Sequence, residues 1–222
     1  MSTSDPYART HELAAQHLAG GDATGWFEAL YIEAAEGQAV VPWDREEPSP
    51  VVRTWLEEEG IDGKDRSAVV VGCGFGRDAE LLARHGFRTT GFDIAPTAIK
   101  GAHDRHPDSP VTYEVADLLD LPSAWLGAFD LVVESMNLTG IPSGPVREAA
   151  TAGVTSLVAP GGTLFVVAVA REEGEIVDGP PWPLDRTEAE AFGAGLTTHR
   201  FDRVPDADDP TISRWRAEFV RP

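Results

Sequence analysis

The chain has 222 residues, of which 42% are hydrophobic and 25% charged, which is typical of one globular domain with a sizeable core. Its formal net charge of -19 argues against nucleic acid and anionic membranes as partners, because binding either requires clustered Lys and Arg. The only cysteine excludes an internal disulfide, and neither a signal peptide nor a membrane-spanning run is recognisable. We therefore expect a cytoplasmic protein that is a monomer or a weak homodimer.

Residues 1–60 are predicted to form a helical lid segment. Apolar residues recur at helical spacing in two runs that glycines at 20–21 separate. Three prolines predict an extended loop over 40–50, and a helix is expected to begin at Pro50 and to end near Gly60. We expect this segment to pack against the remainder of the chain within one structural domain.

Residues 61–222 are predicted to form the main domain, in which strands and helices alternate. The predicted strands are 68–71, 88–92, 111–115, 129–134 and 163–170, and the predicted helices are 78–85, 96–106 and 146–158. A turn is expected at 160–162, and the spacing of Thr187 and Glu190 predicts a capping box for a further helix. This order is typical of a parallel α/β sheet.

The C-terminal part follows a different pattern. Residues 196–204 and 212–220 are both strand-like, and the connection between them is too short for a crossover helix, so we expect them to pair antiparallel. The predicted fold is therefore α/β: a Rossmann-like doubly wound sheet of seven strands, mostly parallel, with a C-terminal antiparallel hairpin and N-terminal lid helices.

A glycine-rich turn follows the first predicted strand. Gly72, Gly74 and Gly76 remove side chains where backbone amides must approach a ligand, although tight turns without ligands also use glycine. A dinucleotide fingerprint would place glycine at position 77, which is Arg77. The turn therefore favours a cofactor without a pyrophosphate over a dinucleotide.

Two carboxylates follow the next two predicted strands. Asp93 is placed to accept both hydroxyls of a ribose, and Asp117 is placed to accept a hydrogen bond from an adenine. Each residue can instead cap a helix or a turn. Because the carboxyl ends of parallel strands meet at one sheet edge, the two carboxylates and the glycine turn together predict adenosine binding.

The same segments resemble the ordered motifs of class I S-adenosylmethionine-dependent methyltransferases. The matching motifs are Val-Val-Val-Gly-Cys-Gly-Phe-Gly-Arg-Asp at 69–78, Gly-Phe-Asp-Ile at 91–94, Ala-Asp-Leu at 116–118, Phe-Asp-Leu-Val-Val-Glu at 129–134 and Ala-Pro-Gly-Gly-Thr-Leu at 159–164. Residues 25–26, 42–44 and 178–182 resemble the thiopurine, thiol, thiocyanate and halide methyltransferase branch more narrowly. Residues 134–142 depart from the pattern of that branch.

The resemblance implies S-adenosyl-L-methionine as cofactor and S-adenosyl-L-homocysteine as product. It implies cofactor-binding roles for Gly72, Cys73, Gly74 and Gly76 at the methionine portion, Asp93 at the ribose, Ile94, Ala116, Asp117 and Leu118 at the adenine, and Trp26, Tyr31 and Trp43 over the sulfonium. Aromatic faces attract a sulfonium cation, although these rings can equally serve ordinary packing.

The implied reaction is methyl transfer to a sulfur, oxygen or nitrogen atom of a small molecule by in-line displacement. Glu134 is the candidate to hold the cofactor's amino group, which we favour, or to act as the catalytic base that deprotonates an acceptor. Asn137, Arg171 and Trp182 are the candidates for substrate contacts. No metal is expected, because His103 and His106 lack a third ligand.

Two other functions compete with this reading. An NAD(P)-dependent oxidoreductase shares the glycine turn and Asp93, but it should show the complete glycine spacing and lack the terminal hairpin. A non-catalytic S-adenosylmethionine-binding module is the second alternative. Calorimetric titration with NADH and with S-adenosylmethionine distinguishes the oxidoreductase from a methyltransferase. Turnover on a panel of acceptors distinguishes a methyltransferase from the non-catalytic binding module.

Overall fold

The computed structural model describes residues 7–206 and 209–222, and these residues form one seven-stranded sheet flanked by helices. The strands are β1 Ser67–Val71, β2 Arg88–Asp93, β3 Thr112–Val115, β4 Phe129–Ser135, β5 Val158–Val169, β6 Thr197–Pro205 and β7 Ser213–Val220. The helices are α1 Ala8–Ala19, α2 Trp26–Ala35, α3 Pro50–Glu58, α4 Arg77–Arg84, α5 Pro96–Arg105, α6 Pro145–Ser156 and α7 Arg186–Glu190.

The strand order is β3-β2-β1-β4-β5-β7-β6, and it confirms the predicted fold class. β1 pairs parallel with both β2 and β4, and β4 pairs parallel with β5, so the carboxyl ends of these strands share one edge. β7 runs antiparallel between β5 and β6. The terminal hairpin is therefore present, with its second strand inserted next to the parallel part of the sheet.

Alternating side chains of the strands build two hydrophobic cores. Val69 and Val71 of β1 belong to one cluster with α6, whereas Ala68 and Val70 belong to the other with α3 and α4. This alternation follows from the two-residue period of a strand, and burial on both faces explains the continuous β-branched run in β1. The two cores hold the glycine turn in place from both sides of the sheet.

Two element boundaries differ from their predictions. α6 ends at Ser156 and β5 already begins at Val158, because Val158 pairs with Phe129 before the register shifts, and the predicted turn at 160–162 lies within the strand. The capping box lies earlier than predicted, since the Asp185 side chain accepts from the backbone N–H of Glu188. Within the described residues, no helix combines the length and apolar character needed to cross a bilayer.

Candidate active site

A cavity of about 280 Å³ opens at the carboxyl edge of the sheet, above β1 and β4. Its wall combines the glycine turn after β1, aromatic residues of the N-terminal segment, residues 135–137 after β4, and a proline pair at 180–181. Open α/β sheets bind ligands in this crevice, where neighbouring connections leave the sheet on opposite faces. The cavity therefore defines the candidate site, and the predicted residues Gly72, Gly74 and Asp93 are part of its lining.

The glycine turn has a backbone that side chains would obstruct. Gly72, Gly74 and Gly76 all have positive φ, at 58°, 52° and 89°. A Cβ on Gly72 would lie 2.2 Å from the Cγ of Asn137, so the Asn137 amide rests directly on this glycine. The turn thus brings backbone from β1 and a side chain from the segment after β4 into contact at the cavity.

Asp93 at the end of β2 joins the glycine turn to the next connection. Its carboxylate accepts the backbone N–H of Gly74 at 2.9 Å and that of Ala95 at 2.9 Å, while its carbonyl accepts the N–H of Ala116 at 3.1 Å. Burial raises the pKa of Asp93 to about 6, against the lowering effect of the two backbone hydrogen bonds. Asp93 is therefore bonded to the glycine turn as well as to its own helix start.

Aromatic rings of the N-terminal segment cover the cavity. Trp26 stacks on Phe27 with ring centroids 4.0 Å apart, and Trp43 stands edge-on to Trp26 at 5.9 Å. The Nε1–H of Trp43 donates to the Tyr31 hydroxyl at 2.9 Å, and Tyr31 packs edge-on to Phe75 of the glycine turn. These π faces form an apolar, electron-rich wall, which suits a cationic ligand group.

Ion pairs and hydrogen bonds fasten this cover to the sheet. The Arg105 guanidinium lies 3.6 Å from the centroid of the Phe75 ring and donates to both carboxylate oxygens of Asp44, at 2.6 and 2.8 Å. The Asp78 carboxylate at the start of α4 accepts the N–H of Ser49 at 2.7 Å. The loop between α2 and α3 is thereby held over the glycine turn.

Glu134 is fully buried near the end of β4, one residue before cavity-lining Ser135. Its Oε1 accepts the N–H of Leu138 at 2.8 Å, whereas its Oε2 has no hydrogen-bond partner in the part of the chain that the structure describes. Burial raises the pKa of Glu134 to about 7. A buried carboxylate with an unsatisfied oxygen is suited to receive a donor from a ligand.

The predicted adenine residues lie beside this cavity rather than in its wall. Ile94, Ala116, Asp117 and Leu118 follow β2 and β3 at the same sheet edge, but they do not contribute to the described lining. Asp117 accepts the N–H of Leu119 at 2.8 Å, so in this structure it caps its own turn. The predicted adenine region is therefore a set of half-buried residues next to Asp93, outside the lining of this cavity.

The structure separates the three predicted substrate residues. Asn137 lines the main cavity, whereas Arg171 and Trp182 line a second cavity of about 240 Å³. Arg171 does not line the main cavity because its guanidinium donates to Asp185 and Glu188, both at 2.8 Å. The prediction that Arg171 and Trp182 share an acceptor pocket with Asn137 is thus corrected, because they line different cavities.

Sequence reasoning missed several residues of the main cavity. Phe27 and Phe75 each adjoin a residue that was singled out, so helical spacing and the turn motif could have included them. Arg214 and Asp206 also line the cavity, yet they belong to the antiparallel end of the sheet. No sequence signal points to them, because their position depends on how β7 inserts. In the described residues, no cluster of His, Cys, Asp and Glu is arranged to hold a metal.

Comparisons with known proteins agree with the fold. Residues 68–162 match the family described as a methyltransferase domain. A ubiquinone biosynthesis O-methyltransferase of Xanthomonas campestris pv. campestris is 37% identical over 103 residues, which cover 46% of this chain and 42% of that relative. The chain thus matches less than half of the length of these curated relatives.

Solved structures extend the likeness in fold to most of the chain. The N-methyltransferase NodS of Bradyrhizobium japonicum WM9, in complex with S-adenosyl-L-homocysteine, superposes with a TM-score of 0.64 at 22% identity, covering 88% of this chain and 99% of NodS. A protein studied for converting a disulfide bond into a thioacetal group during echinomycin biosynthesis gives 0.68 at 24%, covering 88% and 91%. Residues 68–162 therefore match a methyltransferase domain, and the chain shares the Rossmann-like fold of these solved structures.

The residues present fit S-adenosyl-L-methionine, the cofactor of this class. The Nε1–H of fully buried Trp26 and the Oε2 of Glu134 both lack partners among the described residues, so a ligand with an acceptor and a donor would satisfy them. The glycine turn leaves room for close backbone approach, and the aromatic wall suits a sulfonium. An amino-acid end with a positively charged sulfur has these features.

Proposed function

We propose that this chain transfers a methyl group from S-adenosyl-L-methionine to a sulfur, oxygen or nitrogen atom of a small molecule. The observation that carries the proposal is Asp93, whose carboxylate is fixed between the glycine turn and the start of α5 at the floor of an aromatic-covered cavity. When bound, the cofactor supplies a methyl group on a sulfonium, which is electrophilic without further activation. The bond from the acceptor forms as the bond from methyl to sulfur breaks.

The chain's own residues would bind the cofactor, align it with the acceptor and exclude water from the cavity. Gly72, Gly74 and Cys73 are proposed to hold the methionine portion, and Asp93 the ribose, with the residues after β3 at the adenine. Trp26, Tyr31 and Trp43 are proposed to cover the sulfonium, which keeps water from the displacement. A buried aromatic cover suits this role because an apolar wall does not compete as a nucleophile.

Glu134 is proposed to hold the cofactor's amino group rather than to act as a base. Its free Oε2 is buried, and a pKa raised to about 7 means that an ammonium partner would return it to its charged form. A thiolate or another anionic acceptor requires no base, so the reaction does not depend on Glu134 for proton removal.

The finer assignment to an acceptor remains part of the proposal. The resemblance to the thiopurine, thiol, thiocyanate and halide branch favours a soft sulfur acceptor, whereas the curated relatives are named O-methyltransferases. We propose the same chemistry for a sulfur and for an oxygen acceptor: in-line transfer of the methyl group to a small, polarisable molecule in the cavity. The lid role of residues 1–60 and the monomeric or weakly dimeric state belong to the same proposal.

Calorimetry followed by acceptor turnover tests the function. We expect the protein to bind S-adenosyl-L-homocysteine but not NADH, and to release S-adenosyl-L-homocysteine when S-adenosyl-L-methionine is supplied with thiols, phenols or heterocyclic amines. NADH binding without binding of S-adenosyl-L-homocysteine would overturn the proposal in favour of an oxidoreductase. Tight cofactor binding without turnover on any acceptor would favour a non-catalytic binding module.

A further inference from the structure

Arg214 is a cation in the wall of the main cavity that the proposed methyl transfer does not use. It lies at the start of β7, where it pairs in register with Val169 at the carboxyl end of β5. β7 is three strands from β1, so Arg214 stands about 14 Å from the end of β1 at the usual spacing between strands. The glycine turn and Arg214 therefore lie at well-separated positions along the wall of the cavity.

Two neighbours hold the guanidinium in place. The Nε–H of Arg214 donates to the Asp206 carboxylate, and one terminal nitrogen contacts the Sδ of Met136. Met136 has a φ of 69°, unusual for a residue with a side chain, and its N–H donates to the Val167 carbonyl at 2.7 Å. A strained residue next to the end of β4 thus turns its side chain towards Arg214, as strained residues often do at functional sites.

The guanidinium keeps donor capacity for a ligand. A thioether is a weak acceptor, and the second terminal nitrogen of Arg214 has no hydrogen bond within residues 7–206 and 209–222. The Arg214 side chain is 14% exposed, so water cannot fully compensate its remaining N–H groups. An anion in the cavity would satisfy them through charge-assisted hydrogen bonds.

The surroundings of Arg214 favour a carboxylate over a phosphate. Asp206 already offsets the positive charge, so a doubly charged group would meet net repulsion whereas a singly charged one takes only the remaining N–H donors. The lining of the same cavity also includes the apolar residues Phe27, Val167 and Pro181. Such a wall suits a flat hydrophobic body between the reacting atom and the charged end.

We propose that Arg214 binds a carboxylate of the methyl acceptor, so that the substrate class is small apolar or aromatic acids methylated at the end opposite the carboxylate. This inference rests on the proposed methyl transfer and specifies its substrate. Arg214 would be a substrate-binding residue, with Asp206 and Met136 as residues that position it.

Matched acceptors with and without the charge test the proposal. The probes are 4-mercaptobenzoate and 4-hydroxyphenylacetate, each compared with its neutral primary amide, in methyl-transfer kinetics and in calorimetry on protein loaded with S-adenosyl-L-homocysteine. We expect the acids to show the lower KM and Kd. Arg214→Gln should raise these values for the acids about 10- to 100-fold, as expected for loss of a charge-assisted hydrogen bond, and leave those for the amides nearly unchanged.

Arg216→Gln is the matched control, since Arg216 lies on the same strand and pairs with Asp202 outside the cavity lining. It should leave the acid-to-amide ratio unchanged. If Arg214→Gln does not fold, Arg214→Lys, which keeps the charge but loses the planar fork, should reduce the preference for acids partly. Equal binding of acid and amide by the unmodified protein, or an unchanged ratio in the folded Arg214 variant, would overturn this inference. Failure of S-adenosyl-L-homocysteine to bind would instead overturn the proposed function itself.

Discussion

Asp93 combines a structural and a proposed binding role in one side chain. Asp93→Asn preserves the size of the residue and one backbone acceptor, so the variant should fold while losing the charge that would strengthen hydrogen bonds to the ribose. We expect its Kd for S-adenosyl-L-homocysteine to rise about 10- to 100-fold, because hydrogen bonds to charged groups contribute about 1.5–3 kcal/mol. Isothermal titration calorimetry measures this change.

Asp62→Asn is the control for the Asp93 variant. Asp62 also accepts a backbone N–H, that of Lys64 at 2.9 Å, but in an exposed turn away from the cavity. Its substitution should leave the Kd unchanged. An Asp93→Asn protein with the cofactor affinity of the unmodified chain would show that Asp93 only supports the turn.

Glu134 should make the stability of the ligand-free protein depend on pH. Because burial raises its pKa to about 7, its contribution is fully present below the ordinary carboxylate pKa and is lost as the pH rises through 7. The loss can reach about 3 kcal/mol, since each pKa unit corresponds to about 1.4 kcal/mol. Urea unfolding between pH 5 and 8 should therefore show a shallower decline for Glu134→Gln than for the unmodified protein.

Exposed Glu57 on α3 provides the control, and Glu57→Gln should show the same decline as the unmodified chain. The proposed contact between Glu134 and the cofactor's amino group adds a second measurement. Glu134→Gln should weaken binding of S-adenosyl-L-homocysteine. Identical pH profiles and unchanged affinity together would remove Glu134 from the proposed site.

Strand-end residues could be predicted from the sequence, whereas residues placed by long-range pairing could not. Asp93 and the glycine turn stand directly after recognisable strands, so the shared edge of a parallel sheet is enough to bring them together. Arg214 lines the main cavity only because β7 inserts beside β5. Arg171 lies outside that cavity because nearby carboxylates accept hydrogen bonds from its guanidinium. Neither event has a signature in local spacing.

The loop between α2 and α3 depends on a small set of polar contacts at its ends. Asp44→Ala should release Arg105 from its two carboxylate bonds and weaken its stacking on Phe75. We expect a several-fold rise in the KM for S-adenosyl-L-methionine and faster hydrogen exchange in the loop, because the cover then opens more often.

Asp104→Ala removes an ion pair with Lys100 from the exposed face of α5 and serves as the control for the Asp44 variant. Such exposed pairs contribute little, so neither the KM nor the exchange should change. Equal effects of the two substitutions would mean that the Asp44 pair does not hold the cover.

Helices with strong end signals were predictable, and the start of β5 was not. Pro50 and Pro96 mark the first positions of α3 and α5, as expected from the fixed φ of proline. Residues 160–162 have the composition of a turn, but a shift in register between Phe129 and Leu131 allows the strand to continue through them. A local turn signal was thus overridden by pairing with a distant strand.

The formal charge of -19 should make the molecule sensitive to ionic strength. Like charges destabilise the compact state, and salt screens them, so we expect Tm to rise by a few degrees between about 10 and 300 mM sodium chloride. Differential scanning calorimetry checks this. Charge reversal at two exposed sites, Glu57→Lys with Asp108→Lys, should reduce the salt response. A Tm that falls with salt would show that attractive ion pairs dominate instead.

The overall architecture was predictable because several independent patterns agree on it. Buried β-branched runs, the glycine turn and the short terminal connection together define a parallel sheet with an antiparallel end, and the strand order confirms it. The division between a main cavity and a second cavity was not predictable, since it depends on how the segment between β5 and α7 packs.

The insertion of β7 between β5 and β6 has a consequence for how the chain is made. β6 is synthesised first but lies at the rim of the sheet, so it gains a strand neighbour only once residues 213–220 have left the ribosome. Until then β5 exposes a long apolar edge on which other nascent chains can pair. Early termination before β7 should therefore yield an aggregating product rather than a smaller working enzyme.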